Sequence, residues 1–351
     1  MTTPPASLGK IAQQVELLLT STLDQEIERW TQLDPELAEP IAEIRRLVLA
    51  GGKRLRPAFC YWGYVGLGGS DQDKVVQIGA AIELLHAMAL FHDDIMDGAA
   101  TRRGDTTTHL RFEDRHARAN WAGEARRFGE GAAILIGDMA FVLSDRLVSD
   151  VSTPVRNMWD DMRMELNVGQ YLDMLGSARR ERSREVADRI CRYKSGKYTI
   201  ERPLHIGALL AHPNNADIIL QQLSAYGLPL GDAFQMRDDV LGAFGDESVT
   251  GKSVGGDLRE GKPTPLLACA TQRATTAQLA ILHTVGQEDL TDGDIATIQQ
   301  VIIETGALDE LEDLIASLRD EAISALAHTT LGSEAVNELN ELAHYVADRD
   351  V

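Results

Sequence analysis

Three aspartates in the string His92-Asp93-Asp94-Ile95-Met96-Asp97 are the residues best placed by type and spacing to do chemistry. Asp93 and Asp97 stand four apart, so on a helix they stack on one face with Asp94 beside them. Like charges at that spacing destabilise a helix unless a cation bridges them. Hard carboxylate oxygens suit Mg²⁺, which takes one or two carboxylates and completes its octahedron with water and substrate phosphate. For one such string standing alone, a solvated helix end with incidental acids is the plain alternative. A second pair, Asp238 and Asp239, weakens that alternative, because it too follows an apolar helical run, Leu228 to Met236. Two helices that each end in paired aspartates can face one another across a cavity and hold several Mg²⁺ ions. The second string has Gly242 where a third acid would fall, and Asp246 and Asp257 are the nearby acids that could make up the deficit.

Basic residues gather near these acids in a chain with 34 Lys and Arg against 54 Asp and Glu, a formal charge of −20. Lys53 and Arg56 follow the pair Gly51-Gly52, and Arg102 and Arg103 follow the first acidic string. Lys194 and Lys197 flank Ser195-Gly196, while Lys252 and Lys262 lie in the glycine-rich stretch after the second string. Arginine offers phosphate a planar fork and lysine a point charge. Two diphosphates bring about six negative charges, which a few Mg²⁺ ions and several such side chains could balance. Each residue alone reads as a solvated surface charge, and their joint placement beside turns and acids reads as an anion site. The overall acidity argues against a nucleic-acid partner. Cys60, Cys191 and Cys269 fit no metal spacing and read as buried, reduced thiols of a cytosolic protein. Met1 to Lys10 lacks the pattern of a secretory signal. No uncharged apolar run approaches the ~20 residues that span a bilayer, so no membrane span is expected and a greasy substrate must be sheltered inside the protein.

The elements that must position these residues are helices. Ile11 to Arg29, Val75 to Asp97, Ala132 to Val148, Val155 to Leu175 and Gln222 to Leu241 repeat apolar residues at three- and four-residue spacing. Breaks fall at Gly51-Gly52, Gly68-Gly69, Asp97 to Asp105, Pro213 to Asn215, Gly245 to Pro265 and Leu290 to Gly293. Alternating strand patterns are scarce. The spacing predicts an all-α fold, a single large helical-bundle domain over residues 1–351. Arg115 to Glu130 reads as a solvent-facing insert or loop, and Arg179 to Arg189 as an exposed turn or helix face. Residues 288–351 read as acidic amphipathic helices whose role is packing.

The strings Gly51 to Pro57, Leu85-His86, Asp93 to Asp97 with Arg102-Arg103-Gly104, Lys194-Ser195-Gly196, and Phe234-Gln235 with Asp238-Asp239 occur in the order found in one family. The chain resembles the trans-polyprenyl diphosphate synthases, most closely the bacterial short-chain farnesyl and geranylgeranyl diphosphate synthases. The resemblance runs from about residue 51 to 265. It implies the isoprenoid synthase fold with a central cavity, a cytoplasmic homodimer, and Mg²⁺ as cofactor at about three ions per site. It further implies isopentenyl diphosphate and an allylic diphosphate (dimethylallyl, geranyl or farnesyl) as substrates. By the same resemblance Lys53, Arg56 and His86, assisted by Arg103, bind isopentenyl diphosphate. Arg102, Lys194 and Lys252 bind the allylic diphosphate, with Lys262 beside them. Asp93 and Asp97 are implied ligands of two Mg²⁺ ions and Asp238 of the third, with Asp94 and Asp239 in support. Ser195 stands where many members have threonine, Gln235 matches a glutamine beside the reacting carbons, and Gln170 and Asp173 match a polar patch lining the site. Arg102, Lys194, Ser195 and Gln235 are the implied catalytic residues. Gly242 departs from the family, which usually has aspartate there.

Some of these residues have a plainer reading. His86 could be a satisfied core histidine and Gln235 a helix-surface amide; Tyr171 and Tyr198 read as packing, and Asp138 and Asp232 as caps or surface acids. The implied chemistry is ionisation of the allylic diphosphate, attack on the cation by the double bond of isopentenyl diphosphate, and proton loss to the departing diphosphate. Fixed dipoles from Ser195 and Gln235 would stabilise the cation, and a dry cavity would protect it from water. On an ideal helix Leu85, Ala89, Asp93 and Asp97 form one row, so Ala89 lies one turn beneath the acids and Leu85 two. Family pattern gives weight to Met88, five residues before the first aspartate. Methionine is intermediate in size and flexible. The expected product is twenty-carbon geranylgeranyl diphosphate, with the fifteen-carbon farnesyl compound next. A terpene cyclase or a head-to-head squalene or phytoene synthase would have no need of Lys53, Arg56 and His86. A non-catalytic or heteromeric subunit of a longer-chain synthase is opposed by the nearly complete motifs.

Overall fold

A computed structural model describes residues 3–214, 216–245, 255–287 and 289–348. Asp246 and Lys252 lie outside the described residues. The chain forms two compact units, one of Ala6–Tyr61 with Ser70–Val151, the other of Met1–Pro5 and Trp62–Gly69 with Ser152–Val351.

In the first unit, α1 (Ala6–Thr31) buries Leu8, Ile11, Val15, Leu19 and Leu23, the one-sided stripe of a surface helix. A 3₁₀ turn (Pro35–Ala38) leads into α2 (Glu39–Leu49), and α3 (Leu55–Val65) begins in this unit. α4 (Gln72–Met96) is capped by Asp71, whose side chain accepts from Lys74 N at 3.1 Å. It is buried on nearly every face, from Val75 through Ile82 and Leu85 to Phe91. α4 packs on α1 and on α6 (Ala125–Leu147). By length and composition α4 alone among the helices of the described residues could cross a membrane, which the sequence reading did not expect. Yet 67% of its most apolar window is buried inside the protein, as in a core helix. After α4, β1 (Thr101–Arg102) pairs with β2 (Asp105–Thr106) as a small antiparallel hairpin. Its turn residues Arg103 and Gly104 have φ +55° and +75°, the left-handed pair that two-residue hairpin turns require.

The segment 115–130 is largely exposed, as its charge led one to expect, with helix ends joined by a short turn in place of a continuous loop. α5 (Thr108–Arg118) runs through its start and α6 begins at Ala125. His116 of α5 is buried, its ring centroid 5.9 Å from that of Trp121 and 5.3 Å from that of Phe128. Trp121 and Phe128 keep 43% and 39% of their surface exposed, and their contacts with His116 tie α5 to α6.

The second unit contains α7 (Thr153–Ala178), α8 (Arg184–Ile190), a π-helix (Cys191–Glu201), α9 (Arg202–Ala211) and α10 (Asp217–Phe244). α11 (Gly256–Glu260), α12 (Pro265–Arg273), α13 (Thr276–Leu282), α14 (Asp292–Glu304), α15 (Ala307–Leu326) and α16 (Ser333–Ala347) follow. Within Arg179 to Arg189 the chain is partly a helix face, with Ala187 of α8 buried. The π-helix packs on α7 and α10, and glycines let the backbones meet. A methyl group on Gly169 would fall 2.5 Å from Lys194 Cα, and one on Gly231 2.8 Å from three backbone atoms of Gly196. α15 and α16 pack on α10 from elsewhere in the unit. The expected packing role of the C-terminal helices is what they perform: Ile298, Leu311 and Ile315 share a buried cluster with Met236 and Val240 of α10.

Gly231→Ala has no room and should cost about 1–3 kcal/mol of stability. Gly9→Ala, in α1 with nothing within 4 Å of the added carbon, should instead gain about 0.5–1 kcal/mol. Denaturant midpoints that moved together would contradict this packing. A second prediction concerns acid. Burial, aided by Arg202, pulls the His205 imidazole down to about 3 from its ordinary 6.5. Between those values the unfolded chain binds a proton that the native chain does not, so stability falls as pH drops from about 6.5 toward 3. The loss should reach about 1.4 kcal/mol per pH unit, and His205→Gln should flatten it in acid titrations followed by circular dichroism. An unchanged slope would contradict the assignment.

Candidate active site

The first acidic set lies in the first unit, at the C-terminal end of α4. Asp97 is the C-cap, its N–H donating to Asp93 O at 2.8 Å. Helix carbonyls collect negative charge at this end, so three carboxylates here need cations nearby. The hairpin brings one: Arg102 Nε donates to Asp94 Oδ1 at 2.7 Å and Nη2 to Asp93 Oδ2 at 3.2 Å. Asp94 is buried, and burial lifts its carboxyl to about 6 against the pull of Arg102, with Asp93 and Asp97 adding to the rise. His92, beside the set, lies over Gly137, where only a glycine leaves space for the ring, and its Nε2 meets Ile134 O at 3.2 Å. α6 thereby fixes the end of α4.

The candidate isopentenyl residues belong to the same unit. Lys53 is exposed, and Arg56 and His86 are partly buried. Burial holds the His86 imidazole well below its ordinary range, and the charges of Arg56, Arg103, Arg102 and Arg54 press it lower. A neutral histidine among four guanidinium groups marks a strongly cationic patch. Arg54, absent from the sequence-derived candidates, is the buried anchor of this patch. It pairs with Glu83, donates to Glu16 Oε1 at 3.1 Å and reaches the carbonyl of Val48. Its φ of +50° is a left-handed backbone that this pairing holds in place. Arg103 donates to Leu47 O at 2.8 Å, and a side chain on Gly52 would fall 3.3 Å from its guanidinium. A small pocket bounded by Leu47, Arg54, Glu83, His86, Leu90 and Arg103 results. Of the chain-length candidates, Leu85 and Met88 are buried and Ala89 partly so, on the α4 segment that leads to the acids.

The second set lies in the second unit. Gln235 Nε2 donates to Asp239 Oδ1 at 2.7 Å, one helical turn along α10. Asp239 is buried, and burial first, then Asp257, Asp238 and Asp173, drives its carboxyl well above the ordinary range. Lys194, on the π-helix, pairs with Asp173 of α7, beside Gln170. Ser195 is partly buried next to it. π-Helical turns commonly mark functional sites, because the wider ladder re-aims its side chains. Lys197 is turned to Glu165 instead. Lys262 lies 3.5 Å from Asp257 Oδ1. Asp138, largely exposed, lies 3.7 Å from His92 as a surface acid would, whereas Asp232 is buried and pairs with Arg192, against its reading as a cap or surface acid. Arg237 precedes the aspartate pair and ties α10 to α15 and α16 through Glu312, at 2.6 Å, and Ala347 O, at 2.9 Å.

Among the described residues no three His, Cys, Asp or Glu side chains converge into a closed metal cage. The donor sets still fit a divalent hard cation. Each offers one or two accessible carboxylates backed by a buried acid, the pattern Mg²⁺ uses when water and phosphate complete its shell. Burial first, and then the neighbouring aspartates, raise the Asp94 and Asp239 carboxyls, and a cation at either set would favour their charged forms.

A model of the polyprenyl synthetase family matches residues 37–302. The geranylfarnesyl diphosphate synthase of Aeropyrum pernix is 31% identical over 316 residues, covering 86% of this chain and 92% of that protein. The geranylgeranyl diphosphate synthase of Saccharolobus solfataricus is 30% identical, covering 86% and 88%. A crystal structure of geranylgeranyl pyrophosphate synthase from Corynebacterium glutamicum, complexed with isoprenyl diphosphate and magnesium, superposes with a TM-score of 0.93 at 36% identity. It covers 98% of this chain and 99% of its own.

Removing one partner of a buried ion pair strands the other charge. Glu83→Ala should therefore cost about 3–5 kcal/mol, well above an exposed exchange such as Arg118→Ala, near zero to about 1 kcal/mol. Equal shifts in the urea midpoint would show that the Arg54 pair does not anchor the loop.

Proposed function

Because the chain belongs to the polyprenyl synthetase family, we propose that this prenyltransferase joins isopentenyl diphosphate to an allylic diphosphate and makes geranylgeranyl diphosphate. The observation that carries the reading is the pairing, in one unit, of a carboxylate set at the end of α4 with the guanidinium patch around neutral His86. One side suits a metal-bound diphosphate and the other a diphosphate held by side chains alone. The family match draws on residues of both compact units, which supports one catalytic domain.

In this reading Lys53, Arg56, His86 and Arg103 hold isopentenyl diphosphate, and Arg102, Lys194, Lys252 and Lys262 take the allylic diphosphate. Asp93 and Asp97, supported by Asp94, would hold two Mg²⁺ ions, and Asp238, supported by Asp239, a third. Bound Mg²⁺ would neutralise the allylic diphosphate and make it a better leaving group. Arg102, already forked between two carboxylates, is placed to add its charge to the departing phosphate oxygens. Gln235 is oriented by its bond to Asp239, and with the Ser195 hydroxyl and Gln170 it presents fixed dipoles to a cationic carbon. Buried Met88 and Leu85 with Ala89 line the path of the growing chain and set its length.

Homodimerisation fits an apolar stripe on α6, where Phe128, Leu135 and Val142 recur at seven-residue spacing. Leu135 is 60% exposed and Val142 52%, with Ile134 and Met139 beside them. A cytoplasmic site of action fits three free, buried thiols.

Incubation with isopentenyl diphosphate, Mg²⁺ and each allylic primer, read by mass spectrometry, tests the reaction. A twenty-carbon diphosphate that disappears with chelator is expected, and no elongation from any primer would overturn the reading. Met88→Phe should shift the product to fifteen carbons or fewer; an unchanged distribution would remove Met88 from the chain-length role.

A further inference from the structure

Lys194 and Lys197 stand three apart on the π-helix, and both are tied to α7. Lys194 pairs with Asp173, and Lys197 with Glu165, eight residues nearer the start of α7. The first pair belongs to the site described above; the second lies outside it. Glu165 is shared, because Arg202, which opens α9, donates to its Oε2 from Nε at 2.7 Å and to its Oε1 from Nη2 at 2.6 Å. Arg202 Nη1 reaches His205 Nδ1 at 3.2 Å, and His205 Nε2 reaches Ser224 Oγ and Leu220 O of α10, each at 3.1 Å. Ser224 Oγ donates to Oε1 of buried Glu201 at 2.6 Å, and Glu201 Oε2 lies 3.9 Å from Lys197 Nζ. The contacts thus close into a ring. One arrangement of protons satisfies all of them. A guanidinium only donates, so His205 Nδ1 accepts; the Ser224 hydrogen goes to Glu201, so His205 Nε2 donates. His205 is neutral, and Lys197 and Arg202 balance Glu165 and Glu201.

An eleven-residue π-helix is a rare element, and its register must be held from outside. Backbone approaches at glycines set how near its neighbours come: a methyl group on Gly227 of α10 would fall 2.9 Å from Glu201 Cα, as others would crowd Lys194 and Gly196. Such approaches fix distance and leave rotation to the side chains. From this geometry we infer that Glu165 is a positioning residue for prenyl transfer. By holding Lys197 and Arg202 together it keeps the wide-turn register in which Lys194 reaches Asp173 and Ser195 stands beside it. Without that clasp the segment can rewind toward an α-helix, which re-aims both side chains. The inference rests on the diphosphate-synthase reading above and deepens it, because the groups at stake serve the allylic diphosphate and not isopentenyl diphosphate.

Steady-state kinetics of the full chain with Mg²⁺, isopentenyl diphosphate and farnesyl diphosphate as primer test it. Glu165→Gln should raise the KM for the primer about tenfold or more and lower kcat, with the KM for isopentenyl diphosphate within about twofold of wild type. Lys197→Met should do the same, and the double variant should be no worse than the worse single one, since both break one contact. Tyr226→Phe removes a buried hydrogen bond from α10 to Leu339 O and is the comparison for lost stability alone, with a lower thermal midpoint and wild-type KM values. Amide hydrogen exchange of the metal-free protein gives a measure free of activity. Peptides covering 191–201 should exchange about tenfold faster in Lys197→Met than in wild type, with α4 unchanged. A primer KM unmoved in both variants, equal rises for both substrates, or unaltered exchange over 191–201 would overturn the inference. A wild-type chain that elongates no primer would overturn the synthase reading, and the exchange result would then judge the ring by itself.

Discussion

Asp93, Asp94 and Asp97 share the last turn of α4, where the carbonyl ends already concentrate negative charge and burial strengthens every repulsion. Left alone, that arrangement would fray the helix. Several features around it act against the repulsion. Arg102 is brought back by a hairpin whose turn accepts two left-handed residues, and His92 is seated over Gly137 so that the helix end cannot drift. Asp94 carries the cost of burial in its raised carboxyl. A divalent ion bound to a diphosphate would add positive charge beside the two outer acids.

The cationic patch is built by the converse means. Four guanidinium groups around one neutral histidine repel one another, and the buried pairing of Arg54 with Glu83 and Glu16 takes up part of that excess. Glu83 lies three residues before His86 on α4, so the same ion pair fixes the glycine loop and the helix that carries the histidine. In the second unit the corresponding device is backbone proximity. Gly169, Gly196 and Gly231 let the π-helix sit against α7 and α10, placing Lys194 beside Asp173. Arg237 anchors the turn that bears Asp238 and Asp239.

Much of this was legible in the residues alone. The apolar spacing of α1, α4, α6, α7 and α10 is strong enough to read as helix, and the acidic strings, glycine pair and basic neighbours follow in an order that few sequences share. The rest depends on contacts between residues distant along the chain. Arg54 pairs with Glu83 across 29 residues and with Glu16 across 38, and no local pattern announces either. The charge of segment 115–130 announces its exposure, but not the contacts of His116 with Trp121 and Phe128 that tie its two helix ends together. A π-helix has no spacing distinct enough to separate it from an α-helix, and the hairpin rests on only two residues per strand. Nor does the sequence show that the carboxylate of Asp257 lies over Gly242, a contact made through the fold.

The central claim is that the aspartate sets hold a divalent ion together with a diphosphate. Anomalous diffraction from crystals grown with Mn²⁺ and inorganic pyrophosphate would test it most directly. Peaks beside Asp93 and Asp97, and a further peak beside Asp238, each in contact with a phosphate oxygen, are the predicted result. Pyrophosphate bound without metal at these carboxylates, or metal bound away from them, would contradict the account.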